Sequence, residues 1–168
     1  MSSHSKLVIA VLALAAFPGL VEPTLAQDGA AQKFAQDAAM SNRFEVEAAK
    51  IALDVGRDQS AKDFAQDMLD DHSRSLAELE KAAEAEKVSL PTEQDAGTKE
   101  KLQALRDASA NDFDQAYLST QVVAHEDAVH LYDTYAKGGP EGALKNYASR
   151  TVGTLRTHNV RIHGLTHQ

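Results

Sequence analysis

The chain has 168 residues, a formal net charge of −8 and no cysteine. Without cysteine there are no disulfides, no thiol catalysis, no Fe–S cluster and no Cys-type zinc site. An acidic chain without a basic stripe does not suit nucleic acid, because phosphate contacts need clustered Lys and Arg.

The N-terminus reads as an export signal. Lys6 precedes an unbroken apolar run from Leu7 to Phe17, and Pro18, Gly19 and Pro23 end it. Thr24, Leu25 and Ala26 place small residues before Gln27, so cleavage is expected after Ala26. The apolar run falls short of the roughly 20 residues a spanning helix needs. The mature chain, residues 27–168, is then a single domain in the periplasm with no transmembrane anchor.

Everything after the signal has helical composition and periodicity. The first helix is expected from about Gln32 to Val55, with Phe34, Ser41, Phe44, Ala48, Ile51, Ala52 and Val55 inward and Gly56 as its stop. The second starts at Asp58 or Ser60 and runs to about Lys87. Phe64, Met68, Leu76, Leu79 and Ala83 form its apolar side. A long connection through Pro91 holds one short helix, Thr98 to Ala108, with Leu102 and Leu105 inward. The third long helix runs from about Asn111 to Ala136, with Phe113, Tyr117, Ala124, Ala128, Leu131 and Tyr135 inward. After a Gly-Gly-Pro turn the fourth runs from Glu141 to about His163. Its inward residues are Leu144, Tyr147, Ala148, Thr151, Leu155 and Ile162.

Two hairpins joined by a long connection predict an all-α four-helix bundle with a crossover. An up-down-up-down bundle with a decorated loop is the competing topology.

Each long helix also sends one polar residue inward. His72 sits in the middle of the apolar stripe of the second helix, and burying an imidazole without a partner costs about 1–3 kcal/mol. His125 and His158 lie inward on the third and fourth helices. Glu45 lies at the margin of the first helix, with Glu47 at the opposite margin. Glu45 and His72 come out at nearly one level. The expected helix ends set His158 about 9 Å from the level of His125, at 1.5 Å per residue. A tilt or a kink at Gly153 closes that gap, or His158 belongs to another layer.

Two readings follow for Glu45, His72, His125 and His158. They hold one divalent transition metal (Fe, Zn or Cu), since imidazole suits these ions. Or they form a buried hydrogen-bonded network that fixes helix register. Asp67, Asp70 and Asp71 read as solvated acids, Glu126 and His130 as outward residues, and His163 and His167 as part of a frayed end. The four tyrosines read as core-edge residues with hydrated hydroxyls.

The stretches FAQDAAMSNRFEVEAAKIAL, AKDFAQDMLDDHSRSLAEL, SLP, FDQAYLSTQVVAHEDAV and LKNYASRTVGTLRTH together resemble the DUF4142 family. These are exported bacterial domains of unknown function, often labelled outer-membrane proteins. The resemblance implies a ferritin-like fold and aligns recurrent family residues with Glu45, Asp71, His72, His125 and His158. Where the family commonly has Pro in the last helix, this chain has Gly153. The resemblance supplies no activity. The Glu-x-x-His pairs of di-iron bundles are missing, because Leu69 and Leu155 stand three residues before His72 and His158. The sequence therefore reads as a periplasmic ferritin-like protein with a binding or envelope-stress role rather than an enzyme. The alternatives are a mononuclear metal-binding or redox protein and a structural or interaction module. The partner or ligand is not named by the sequence.

Overall fold

The computed structural model describes residues 25–166, so all but the last two residues of the expected export signal lie outside it. The described residues form five helices: α1 (Leu25–Val55), α2 (Gln59–Ala85), α3 (Ala96–Asp107), α4 (Phe113–Gly138) and α5 (Ala143–Thr166). The four long helices make the bundle, and α3 is the short helix of the crossover.

Local chemistry explains the boundaries. Asp58, rather than Ser60, caps α2, and its carboxylate accepts from Ala61 N at 2.8 Å. Asp95 does the same for α3 through Thr98 N at 2.7 Å. Each satisfies a backbone N–H that the first helical turn leaves free. At Gly56 a Cβ would overlap the Ala52 carbonyl oxygen and reach the Asp114 carboxylate, so the turn between α1 and α2 needs glycine. The last helix starts at Ala143 rather than Glu141, α4 ends at Gly138 rather than Ala136, and α5 passes unbroken through Gly153. His163 lies within α5, with Nε2 3.1 Å from Glu126 Oε1, rather than in a frayed end.

The crossover topology is fixed by contacts at the two ends. Asp114, at the start of α4, accepts from Asp58 N at 2.9 Å, where α1 turns into α2. Glu86, just past α2, accepts from Leu144 N at 2.7 Å at the start of α5. The chain therefore leaves α2 at one end and enters α4 at the other. The two helices run parallel, with the segment carrying α3 returning along the bundle. Around the square, α1 neighbours α2 and α4, and α5 neighbours the same two. This is the ferritin-like arrangement, not up-down-up-down.

The core has two apolar halves. One gathers Phe34, Leu79, Tyr132, Tyr135, Leu144, Tyr147 and Leu155. The other gathers Phe44, Phe64, Met68, Phe113, Tyr117 and Ile162, with Leu102 and Leu105 of α3 closing it. On α1 and α2 the buried Ala35, Ala38, Ala48, Ala61 and Ala65 allow close helix approach. Most inward expectations hold, but Val55 is 44% exposed because α1 ends there. Ser41, Ile51, Leu76, Ala124, Leu131 and Thr151 are half-buried at helix margins.

Along every long helix, the passage from one apolar half to the other is marked by a buried polar residue. On α1 these are Asn42 and Glu45, on α2 His72, on α4 Gln121 and His125, and on α5 His158. The bundle is two oily segments with a polar layer between them.

Candidate metal centre

The three histidines of that layer meet. One ring nitrogen from each of His72, His125 and His158 lies within 4.8 Å of those of the other two. Ring centroids stand 5.5 to 5.7 Å apart for the three pairs. The 9 Å offset expected for His158 came from the wrong helix ends. From the observed ends, His125 lies thirteen residues before Gly138 and His158 fifteen after Ala143. The difference is two residues, about 3 Å of rise.

Each ring presents one nitrogen to an oxygen acceptor and leaves the other free. His72 Nδ1 lies 3.0 Å from Asn42 Oδ1. His125 Nδ1 lies 3.0 Å from the Gln121 carbonyl oxygen. His158 Nε2 lies 3.0 Å from Asp71 Oδ2. A carbonyl and a carboxylate only accept, so His125 Nδ1 and His158 Nε2 are the protonated nitrogens. The remaining nitrogens, His72 Nε2, His125 Nε2 and His158 Nδ1, are buried and have no hydrogen-bond partner among the described residues. Three buried rings that meet, each held through one nitrogen and with a lone pair on the other, can hold a metal ion.

Asp71 is the residue the sequence misplaced. It stands at the margin of α2, its side chain is 30% exposed, and it reaches across to His158 while also pairing with Arg74 at 3.0 Å. A margin residue on a helix wheel is not solvated when a neighbouring helix lies beside it. Asp67 likewise pairs with Arg161 of α5.

Glu45 lies apart from the three-nitrogen group. It is buried, and its Oε1 stands 3.8 Å from His125 Nδ1, the protonated side of that ring. That contact is with the anchored nitrogen of His125 and not with its free Nε2. Among the described residues the second Glu45 oxygen, Oε2, makes no hydrogen bond, although the Gln121 side chain lies close enough to lower the pKa of the carboxyl. Glu47 points outward to Lys50 at 2.8 Å, which answers which carboxylate is inward.

Electrostatics favour neutral imidazoles. Burial first, then the facing His125 and His158, hold His72 well below the ordinary imidazole value. Burial and His125 also lower His158, with Asp71 pulling partly the other way. Burial raises Glu45 above the ordinary carboxyl value, offset in part by His125. Neutral imidazole is the form that binds a metal.

Sequence reasoning missed Asn42, which is 2% exposed and holds His72. The signal was present: Asn42 is four residues after Ala38, three before Glu45 and seven before Ala49, all on the inner face. The hydroxyls of Tyr132 and Tyr147 are not hydrated edges either. They are buried, 2.8 Å apart, and both contact the Asn42 amide.

No curated protein matches the chain. A solved structure, the crystal structure of a DUF305 fragment from Deinococcus radiodurans, is similar at 13% identity with a TM-score of 0.71. The alignment covers 82% of this chain and 95% of that one. At that identity the likeness is one of fold alone. Residues 20–165 match the family described as Domain of unknown function (DUF4142), and the chain belongs to that family.

Proposed function

We propose that the protein is an exported, non-enzymatic binding protein that holds one transition-metal ion through His72, His125 and His158. The observation that carries this reading is the meeting of three buried histidines with ring nitrogens within 4.8 Å of one another, each ring keeping one nitrogen without a hydrogen-bond partner among the described residues. The donor set fits a nitrogen-loving ion (Zn, Cu, Fe or Ni) and not Ca or Mg, which take oxygen. Nitrogens on one ion at about 2.0–2.1 Å stand at most about 4.2 Å apart, so shifts of about an ångström suffice to close the set. Three cavities, of about 500, 410 and 240 Å³, have none of the three histidines in their walls.

The test is metal analysis of untagged protein recovered from the periplasm, with intact mass to fix its first residue. We expect Gln27 at the N-terminus and one equivalent of transition metal that chelator removes with a fall in Tm. Wild-type protein that takes up none of Zn, Cu, Fe or Ni at micromolar concentration would sink the metal reading. A retained Met1 would sink the export reading.

A further inference from the structure

Asn42 lies outside the metal-ligand set, yet its amide is more tightly constrained than any ligand. The Nδ2 atom contacts Ala38 O at 2.8 Å, Tyr132 OH at 3.0 Å and Tyr147 OH at 3.3 Å. Ala38 O is a backbone carbonyl and can only accept, so the nitrogen of the amide must face it. The amide oxygen therefore faces His72 Nδ1, and an amide oxygen can only accept as well. His72 is left one arrangement: hydrogen on Nδ1 and lone pair on Nε2, on a ring that stands beside His125 and His158.

The constraint runs outward. The second amide hydrogen faces Tyr132 OH and Tyr147 OH, which lie 2.8 Å apart, and Tyr147 OH lies 2.7 Å from Ser75 Oγ. Ser75 is half-buried and borders the 240 Å³ surface cavity that Asp71 also lines. The Ala38 carbonyl sets the direction of the amide, and the hydroxyls beyond it can donate either way. A neutral amide transmits hydrogen bonds but does not relay protons, so the string is a brace and not a proton wire.

We propose that Asn42, braced by Tyr132 and Tyr147, is the positioning residue that fixes the His72 tautomer and thereby keeps a nitrogen lone pair available to metal. The inference rests on the metal-binding reading above, but the tautomer is a property of the metal-free chain and is measurable without it.

The experiment is long-range ¹H–¹⁵N correlation NMR of the metal-free protein at pH 7.5, with zinc titration in competition with a chelator. Wild-type His72 should show the Nδ1–H form. Asn42→Leu should give a tautomer mixture and bind zinc about 10–100-fold more weakly, the usual loss when a partner behind a ligand is removed. Asn42→Asp keeps an acceptor toward Nδ1 but loses the donor to Ala38 O, so it should cost stability yet keep the tautomer and bind zinc more tightly than Asn42→Leu. A purely structural asparagine would not give that tautomer change and rescue. Nε2–H in wild-type His72, or undiminished zinc affinity in Asn42→Leu, overturns the proposal. Should Asn42→Leu fail to fold, Tyr147→Phe decides it. Loss of the phenol should weaken zinc binding severalfold with Asn42 in place, and unchanged binding overturns the brace. Wild-type protein that ignores zinc refutes the metal reading, while its His72 tautomer still decides the role of Asn42.

Discussion

Asp71 Oδ2 lies 3.0 Å from His158 Nε2, so two consecutive residues of α2 serve two different histidines. His72 offers its own nitrogen, and Asp71 holds a ring that belongs to α5. A carboxylate behind a ligating imidazole fixes its orientation and raises its basicity. Asp71→Leu should therefore weaken metal binding about 10–100-fold. It should lower stability by less than about 1 kcal/mol, because the carboxylate is partly exposed and screened. Chelator competition alongside urea denaturation checks both. Unchanged affinity in Asp71→Leu would mean that His158 needs no anchor.

The metal-free protein should lose stability in mild acid. His72 and His158 are held below the ordinary imidazole value in the fold. Above about pH 6.5 both folded and unfolded chains carry them neutral, and there is no penalty. As the pH falls below that, the unfolded chain binds protons that the folded chain refuses, so stability drops until the folded values are reached. Bound metal steepens the loss, because protons compete for the same nitrogens. Denaturation at pH 7.5 and 5.0 measures the difference. Equal stability at the two, after allowing for Glu45, would show that the histidines are not buried neutral.

Glu45 works in the opposite direction. Its folded value is raised by burial, so its contribution is present at low pH and is lost as pH rises through that value. Glu45→Gln removes the titration. The variant should match wild type most closely near pH 4, gain on it as pH rises through the folded value of Glu45, and hold that gain above it. Stability curves of the two metal-free proteins give the comparison. A constant offset across that range would show that Glu45 does not titrate in the fold.

The bundle was legible because a period of 3.6 is written into the inward Phe, Leu, Ala and Tyr residues, and Gly56 and Asp58 punctuate it. The inward histidines were legible for the same reason: each interrupts an apolar stripe. Their common level was not, because it depends on helix ends, and errors of two residues at both α4 and α5 made a false gap between His125 and His158. Asp71 and Asn42 were missed for a different reason. Their roles lie in what they touch on other helices, and a wheel drawn for one helix shows direction but not neighbours.

The three histidines should differ in what they do to the metal-free fold and agree in what they do to metal uptake. Leucine at position 125 removes a wholly buried imidazole whose free nitrogen has no partner. It abandons the Gln121 carbonyl, which is already within a helix, and a 3.8 Å contact with Glu45, whose neutral form burial favours. Metal-free His125→Leu should thus be as stable as wild type or more so, as when an apolar residue replaces buried polar groups. Leucine at position 72 orphans the buried Asn42 oxygen and should cost about 1–3 kcal/mol. Both variants should lose the metal-dependent stabilisation, which is about 4 kcal/mol for free metal at a thousandfold excess over Kd. Denaturant titrations of each protein with and without zinc separate the two effects. If His125→Leu keeps its zinc response, the third nitrogen is not a ligand. If it is several kcal/mol less stable without metal, His125 supports the core through contacts other than those described.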